Sequence, residues 1–348
     1  MISTGRRVSG RAWLLCSLWL LSCASSQTPE TEIPKARTET KAAVDPLPSW
    51  NDTATKARII EFVRAVADPD DEAFVDPRAR IATFDNDGTL WVEQPIYPEM
   101  AFALHRVKDL AQVHPEWKTQ EPFRAVIEND SDAIMAAGMR GVLDIIVASH
   151  TGMSASLFDS IATEWVREAR HPKFDKLYTA LAYQPQIELL RYLEANGFKT
   201  FIVSGGSVEF MRTFTEQVYG IPRERVIGSS IQTRYEMQGG KPSLLRLAKI
   251  SFIDDKAGKP VGIYAHLGRK PILAFGNSDG DFEMLQWTTG DGGARLGLLL
   301  HHDDAKREYA YDRDSRVGKL DRALDAADAA GWVVVSMKSD WKTVFVSK

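Results

Sequence analysis

The chain has 348 residues, 44% hydrophobic and 26% charged, with a formal net charge of -4. That composition suits one large or two modest cores and excludes a fibrous or intrinsically disordered protein. The acidic balance argues against nucleic acid as a partner, so an anionic substrate must be drawn in by local positive charge, not by the field of the whole chain.

The first element in chain order is a processing segment. Arg6, Arg7 and Arg11 precede an apolar run from Ala12 to Leu21, the layout of a secretory signal and too short for a comfortable membrane span. Leu20-Leu21-Ser22-Cys23-Ala24 resembles the lipobox of bacterial lipoproteins. The resemblance implies removal of residues 1–22, lipidation of Cys23, and anchoring in the bacterial cell envelope, at the outer membrane, with the domain facing the periplasm. A plain cleaved signal peptide is the alternative. Cys16, the other cysteine, lies in the removed segment, and losing three arginines and no acid takes the net charge from -4 to about -7.

Residues 23–50 are rich in Pro, Thr, Glu and Ser and read as a disordered tether reaching on the order of 25–30 Å. Folding is expected to begin at Asn51-Asp52-Thr53, plausible N-caps before Ile59, Phe62, Val63 and Val66 at helical spacing. A strand over Ile81 to Phe84 follows, then about ninety residues of helical pattern without strand signals. From Pro185 strands alternate with helices, at Lys199 to Val203, Arg225 to Ile231, Lys270 to Phe275, Leu296 to His301 and Trp332 to Met337. This alternation predicts an α/β fold with a doubly wound parallel sheet. Its core would comprise 51–94 and 184–348, with 95–183 inserted as a helical cap over the sheet's carboxyl edge. Gly239-Gly240 predicts a turn between short antiparallel strands.

The first strand runs into Asp85-Asn86-Asp87-Gly88-Thr89. Alternate side chains of an extended segment share a face, so Asp85 and Asp87 point the same way, and a cation or a proton must separate them. Three more stations sit at strand ends or helix starts. Ser204-Gly205-Gly206-Ser207 can offer a hydroxyl and backbone amides to an anion. Lys259, before Pro260, reads as a charge at a helix N-cap. Gly276-Asn277-Ser278-Asp279-Gly280-Asp281 supplies oxygen ligands for a hard cation. His301 and His302, followed by Asp303 and Asp304, read as a polar loop, because adjacent strand residues face opposite ways. Trp91, Tyr97, Trp117 and Trp165 read as core, with Trp91 and Glu93 near enough to Asp85 to shape a pocket.

The order of these stations resembles the haloacid dehalogenase superfamily, and within it phosphatases with a helical cap after the first motif, such as phosphoserine phosphatase-like enzymes. The resemblance covers roughly Ile81 to His301. It implies a Mg²⁺-dependent hydrolase of small phosphomonoesters, with Asp85 as nucleophile, Asp87 as general acid and base, and Ser204 and Lys259 completing the catalytic set. Thr89, Gly205 and Gly206 would bind substrate. Asp85, Asp87 through its carbonyl, and Asn277 or Asp281 would hold the metal, with Asp279 a further candidate. Many relatives carry Asp where this chain has Asn277, whose amide oxygen can still ligate a cation but brings it less charge. Two rivals are a carbon–halogen hydrolase, disfavoured by Asp87, and a binding lipoprotein that has lost turnover.

Overall fold

The computed structural model describes residues 44–345; the expected signal, Cys23 and most of the expected tether lie outside them. The tether ends earlier than its composition suggests. Leu47 and Trp50 are buried, Trp50 Nε1 donates to the Pro185 carbonyl at 3.0 Å, and Ser49 donates to Glu188 through its amide (2.8 Å) and its hydroxyl (2.7 Å). Burying two large apolar side chains is worth roughly 1.5–3 kcal/mol each, enough to tie down a polar segment. The compact unit therefore starts at Asp45 and not at residue 51.

Eight strands build the sheet: β1 (Ile81–Phe84), β2 (Lys199–Ser207), β3 (Val226–Gln238), β4 (Lys241–Phe252), β5 (Leu273–Gly276), β6 (Leu296–Asp303), β7 (Ala310–Tyr311) and β8 (Val333–Ser336). β1 lies between β2 and β5, β3 flanks β2, β6 flanks β5 and β8 pairs with β6, all parallel. β4 and β7 are antiparallel to their partners. Alternate residues go to opposite cores. Ile202, Leu273, Phe275, Leu298 and Leu300 pack on the side of helices Ala54–Ala67 and Gln184–Ala195. Val203, Ala274 and Leu299 pack on the side of Gly258–Leu267 and Phe282–Thr289. With both faces covered, the strands read as continuous apolar runs, the mark of a doubly wound α/β sheet.

Gly239 (φ +55°) and Gly240 (φ +80°) form the two-residue turn between β3 and β4, the left-handed pair that a tight hairpin demands. The strands it joins have 13 and 12 residues, longer than expected. Between β1 and β2 the chain is helical, from Pro98–Leu110 to Ala155–Glu168, the latter capped by Ser154. Ala103, Val107, Trp117, Val126 and Ile145 form a small core of their own there. Two boundaries near the sheet edge differ from expectation. β2 continues to Ser207, and two short helices, Val208–Met211 and Thr215–Tyr219, replace one long helix. Lys259 is the second residue of its helix instead of the cap, which falls at Ala257.

Candidate active site

Asp85 N–H donates to the Phe275 carbonyl at 2.9 Å, so the ladder of β1 runs one residue past the strand and delivers the carboxylate at the sheet's carboxyl edge. The turn beyond it needs glycine. Gly88 has φ +75°, and a Cβ there would lie 2.2 Å from Asn277 Nδ2 and 2.3 Å from Glu93 Oε1.

A cavity of about 360 Å³ opens at this edge, and Asp85, Asp87, Ser204, Gly205, Gly206 and Lys259 all line it. Ser278 and Gly280 represent the fourth station. Tyr97, the N-cap of helix Pro98–Leu110, Glu99 and Met100 of that helix, and Val142 and Ile146 of helix Gly138–His150 also line the cavity. Tyr97, expected in the core, is 39% exposed.

Lys259 Nζ donates to Asp85 Oδ1 (2.6 Å), Asp281 Oδ1 (2.6 Å) and the Val203 carbonyl (2.9 Å), using all three ammonium hydrogens. Burial pulls its pKa down, but Asp281 and Asp85 reverse that and hold it above the ordinary lysine value. Burial pushes Asp85 well above the ordinary carboxylate range and Asp281 adds to this, with Lys259 opposing both. Burial likewise raises Asp87 to about 7, where a hydrogen bond from Trp91 Nε1 to Oδ1 (2.7 Å) pulls down and the Glu99 charge pushes up.

The loop after β5 is arranged differently from the sequence expectation. Asp281 Oδ2 accepts from the amides of Asn277 (2.9 Å) and Ser278 (3.0 Å), so with Oδ1 on Lys259 both its oxygens are taken. Asp279 Oδ1 accepts from the amides of Asp321 and Ala323, 3.0 and 2.9 Å away. Thr89, expected among the substrate donors, instead gives its hydroxyl hydrogen to Asn277 Oδ1 at 2.9 Å. The Gly206 amide donates to Ser204 Oγ at 3.2 Å. Among the described residues no three Asp, Glu, His or Cys side chains converge to hold an ion by themselves.

A family model of haloacid dehalogenase-like hydrolases matches residues 82–286. The chain belongs to this family. Among solved structures, the hydrolase is similar to a conserved protein of unknown function from Anaerococcus prevotii, with 16% identity, TM-score 0.50, and coverage of 75% of this chain and 89% of that one. It also matches a phosphoserine phosphohydrolase-like protein from Francisella tularensis (16% identity, TM-score 0.34, 65% and 89% covered) and a probable phosphoserine phosphatase from Vibrio cholerae (15%, 0.35, 75% and 68%). At these identities the likeness to the Anaerococcus protein shows the fold alone. No curated protein matches the sequence.

Three residues of the hydrolase carry roles that sequence reasoning missed. Glu99 is half-buried against the cavity, where it accepts from the Ser207 amide (2.7 Å) and hydroxyl and pairs with His150 Nε2 (3.1 Å). Burial raises its pKa, but His150 and Ser207 outweigh this and leave it below the ordinary value. In sequence it is one more acid in a first helical turn. Asp255 lines the mouth without any sequence signal. His302 is buried, because β6 continues to Asp303 and its alternation turns this ring inward. Its Nε2 donates to the Gly88 carbonyl at 2.7 Å, its Nδ1 lies 3.2 Å from Glu308 Oε2, and the ring stacks on Tyr311 at 4.4 Å. His301 faces Asp312 instead. The polar-loop expectation therefore fails for His302. Trp91 is core as expected, fully buried and stacked on Phe214 at 4.3 Å.

Proposed function

We propose that this hydrolase cleaves small phosphomonoesters with Mg²⁺ through an aspartyl-phosphate intermediate. The observation that carries the reading is Asp85 held by Lys259 in one cavity with Asp87, an acid raised to about 7. Asp85 Oδ2, which takes no hydrogen bond among the described residues, attacks phosphorus in line. The bond from phosphorus to the leaving alcohol breaks as Asp87 gives that oxygen its proton. Asp87, now a carboxylate, takes a proton from water; the resulting hydroxide attacks phosphorus, the bond to Asp85 breaks and inorganic phosphate leaves. Ser204 of β2 offers its hydroxyl to a phosphoryl oxygen, and Lys259 offsets the charge on Asp85 throughout.

The donor set fits a hard cation. Five acids line the cavity, Asp85, Asp87, Glu93, Glu99 and Asp255, against one basic residue, Lys259. Asp85, the Asp87 carbonyl and Asn277 Oδ1 would hold Mg²⁺, with waters and substrate completing its shell. When bound, the ion supplies charge stabilisation to the transferring phosphoryl group. Because both oxygens of Asp281 are occupied, its role in this reading is to position Lys259.

An acid positioned beside the nucleophile favours an alcohol leaving group over a halide, which leaves without a proton. The proposed setting, the periplasmic face of the envelope with a lipid on Cys23, rests on residues 6–24 alone. Phosphate release from a generic aryl phosphate, abolished in Asp85→Asn and by chelator, is the expected result. Full activity in that variant would sink the mechanism, and no release with any phosphomonoester would favour a binding protein.

A further inference from the structure

Glu93 is only 2% exposed, yet it lines the cavity beside Asp85 and Asp87. Its Oε1 accepts from Asn277 Nδ2 (2.7 Å) and Tyr311 OH (2.8 Å), both neutral donors. Its Oε2 takes no hydrogen bond among the described residues. A buried carboxylate next to two others is costly unless a cation joins it. The protein supplies none here, since the three hydrogens of Lys259 go to Asp85, Asp281 and Val203.

The orientation of Asn277 points the same way. A carboxylate oxygen accepts and cannot donate, so the amide must turn its nitrogen to Glu93, and its oxygen then faces the Thr89 hydroxyl. Glu93 thus fixes which atom of Asn277 is presented beneath the turn. Gly88 packs against both side chains with no room for a Cβ. Asp281 and Asp279, the other acids of that loop, are fully or otherwise engaged.

We propose that Glu93 supplies to the cation site the carboxylate charge that Asn277 lacks, through its unpartnered Oε2, so that the pair Glu93–Asn277 does what a single aspartate at position 277 would do. This rests on the metal-dependent reading above. A hard divalent ion prefers charged oxygen ligands, and one amide oxygen beside Asp85 gives it too little charge.

The test is Mg²⁺ binding by isothermal titration calorimetry to the purified full-length protein without substrate. Glu93→Gln keeps an oxygen for Asn277 and Tyr311 but removes the charge, and it is expected to weaken binding about 10- to 100-fold. The double variant Glu93→Gln/Asn277→Asp, which carries the wild-type charge, is expected to recover most of that loss. Thermal melts of each variant confirm that it is folded. Wild-type affinity in Glu93→Gln overturns the inference, as does a double variant no better than the single one. If Asp85→Asn weakens binding and Glu93→Gln does not, only this inference falls. If the wild-type protein binds no Mg²⁺, the metal-dependent reading falls with it.

Discussion

Replacing Trp91 with Phe tests the role of Asp87 by moving its proton affinity while leaving the carboxylate in place. Trp91 Nε1 donates to Asp87 Oδ1 at 2.7 Å, a bond that favours the ionised form. Deleting it must raise the pKa of Asp87 above its value of about 7. A hydrogen bond to a charged group is worth about 1.5–3 kcal/mol, and about 1.4 kcal/mol corresponds to one pH unit, so the shift is about one to two pH units. In the proposed mechanism the first step needs Asp87 protonated. At pH 8 the wild-type enzyme holds that proton in about one molecule in ten, and the variant in about half or more. The assay is the pH dependence of kcat/KM on an alkyl phosphomonoester, whose poor leaving group demands the acid. The alkaline limb, near pH 7 in the wild type, is expected to move up. Glu99→Gln supplies the opposite sign: removing that neighbouring negative charge lowers the pKa of Asp87 and moves the limb down. Trp91 is fully buried and stacks on Phe214, so the Phe variant also loses stability, about 1–2 kcal/mol, and rates are compared well below its melting temperature. A limb that stays in place in both folded variants, or moves down in Trp91→Phe, refutes the assignment of Asp87 as the acid.

Two further outcomes follow from buried groups. Asp254 is fully buried, and burial raises its pKa to about 7 although Lys259 and the Ser204 backbone pull down. Unfolded, it releases its proton near 3.8, so between about pH 4 and 7 the folded protein binds the extra proton and stability falls as pH rises, by about 4 kcal/mol in all. Asp254→Asn should remove that fall, read as urea midpoints at pH 5 and pH 8; an unchanged difference between the two counts against it. His302→Ala removes the donor that holds the Gly88 carbonyl, and the turn that follows Asp85 and Asp87 should lose its alignment. We expect kcat to drop on the order of tenfold or more with little change in KM, partly restored by His302→Gln, while an unaltered kcat would make His302 purely structural.

Local signals made β1 and the hairpin legible. Ile81 to Phe84 is buried on both faces and reads as an apolar run with Thr83 its one polar residue, and Gly239-Gly240 names its own turn. Asp85, Asp87, Ser204 and Lys259 were visible for the same reason, each lying within a few residues of the end or start of an element that periodicity locates. What stayed hidden depends on partners far apart in the chain. Ser49 meets Glu188 across 139 residues, Asn277 meets Glu93 across 184, and His302 meets Gly88 across 214. No period in a sequence encodes such a pairing, so Trp50 passed for tether, His302 for loop, and Glu93 for a pocket wall without a partner.

The same distances explain why Asn277 looked like a weakness. Judged one position at a time, an amide where a carboxylate is expected lowers the charge of a cation site. Judged in three dimensions, a glutamate 184 residues earlier lies 2.7 Å from that amide, buried and with one oxygen unpartnered, while the nearby acid of the loop, Asp281, is committed to Lys259. The acidity of such a site belongs to the cavity and not to a motif position. Moving a carboxylate from the loop to the turn changes which strand end holds it, but leaves the charge around the cavity as it was.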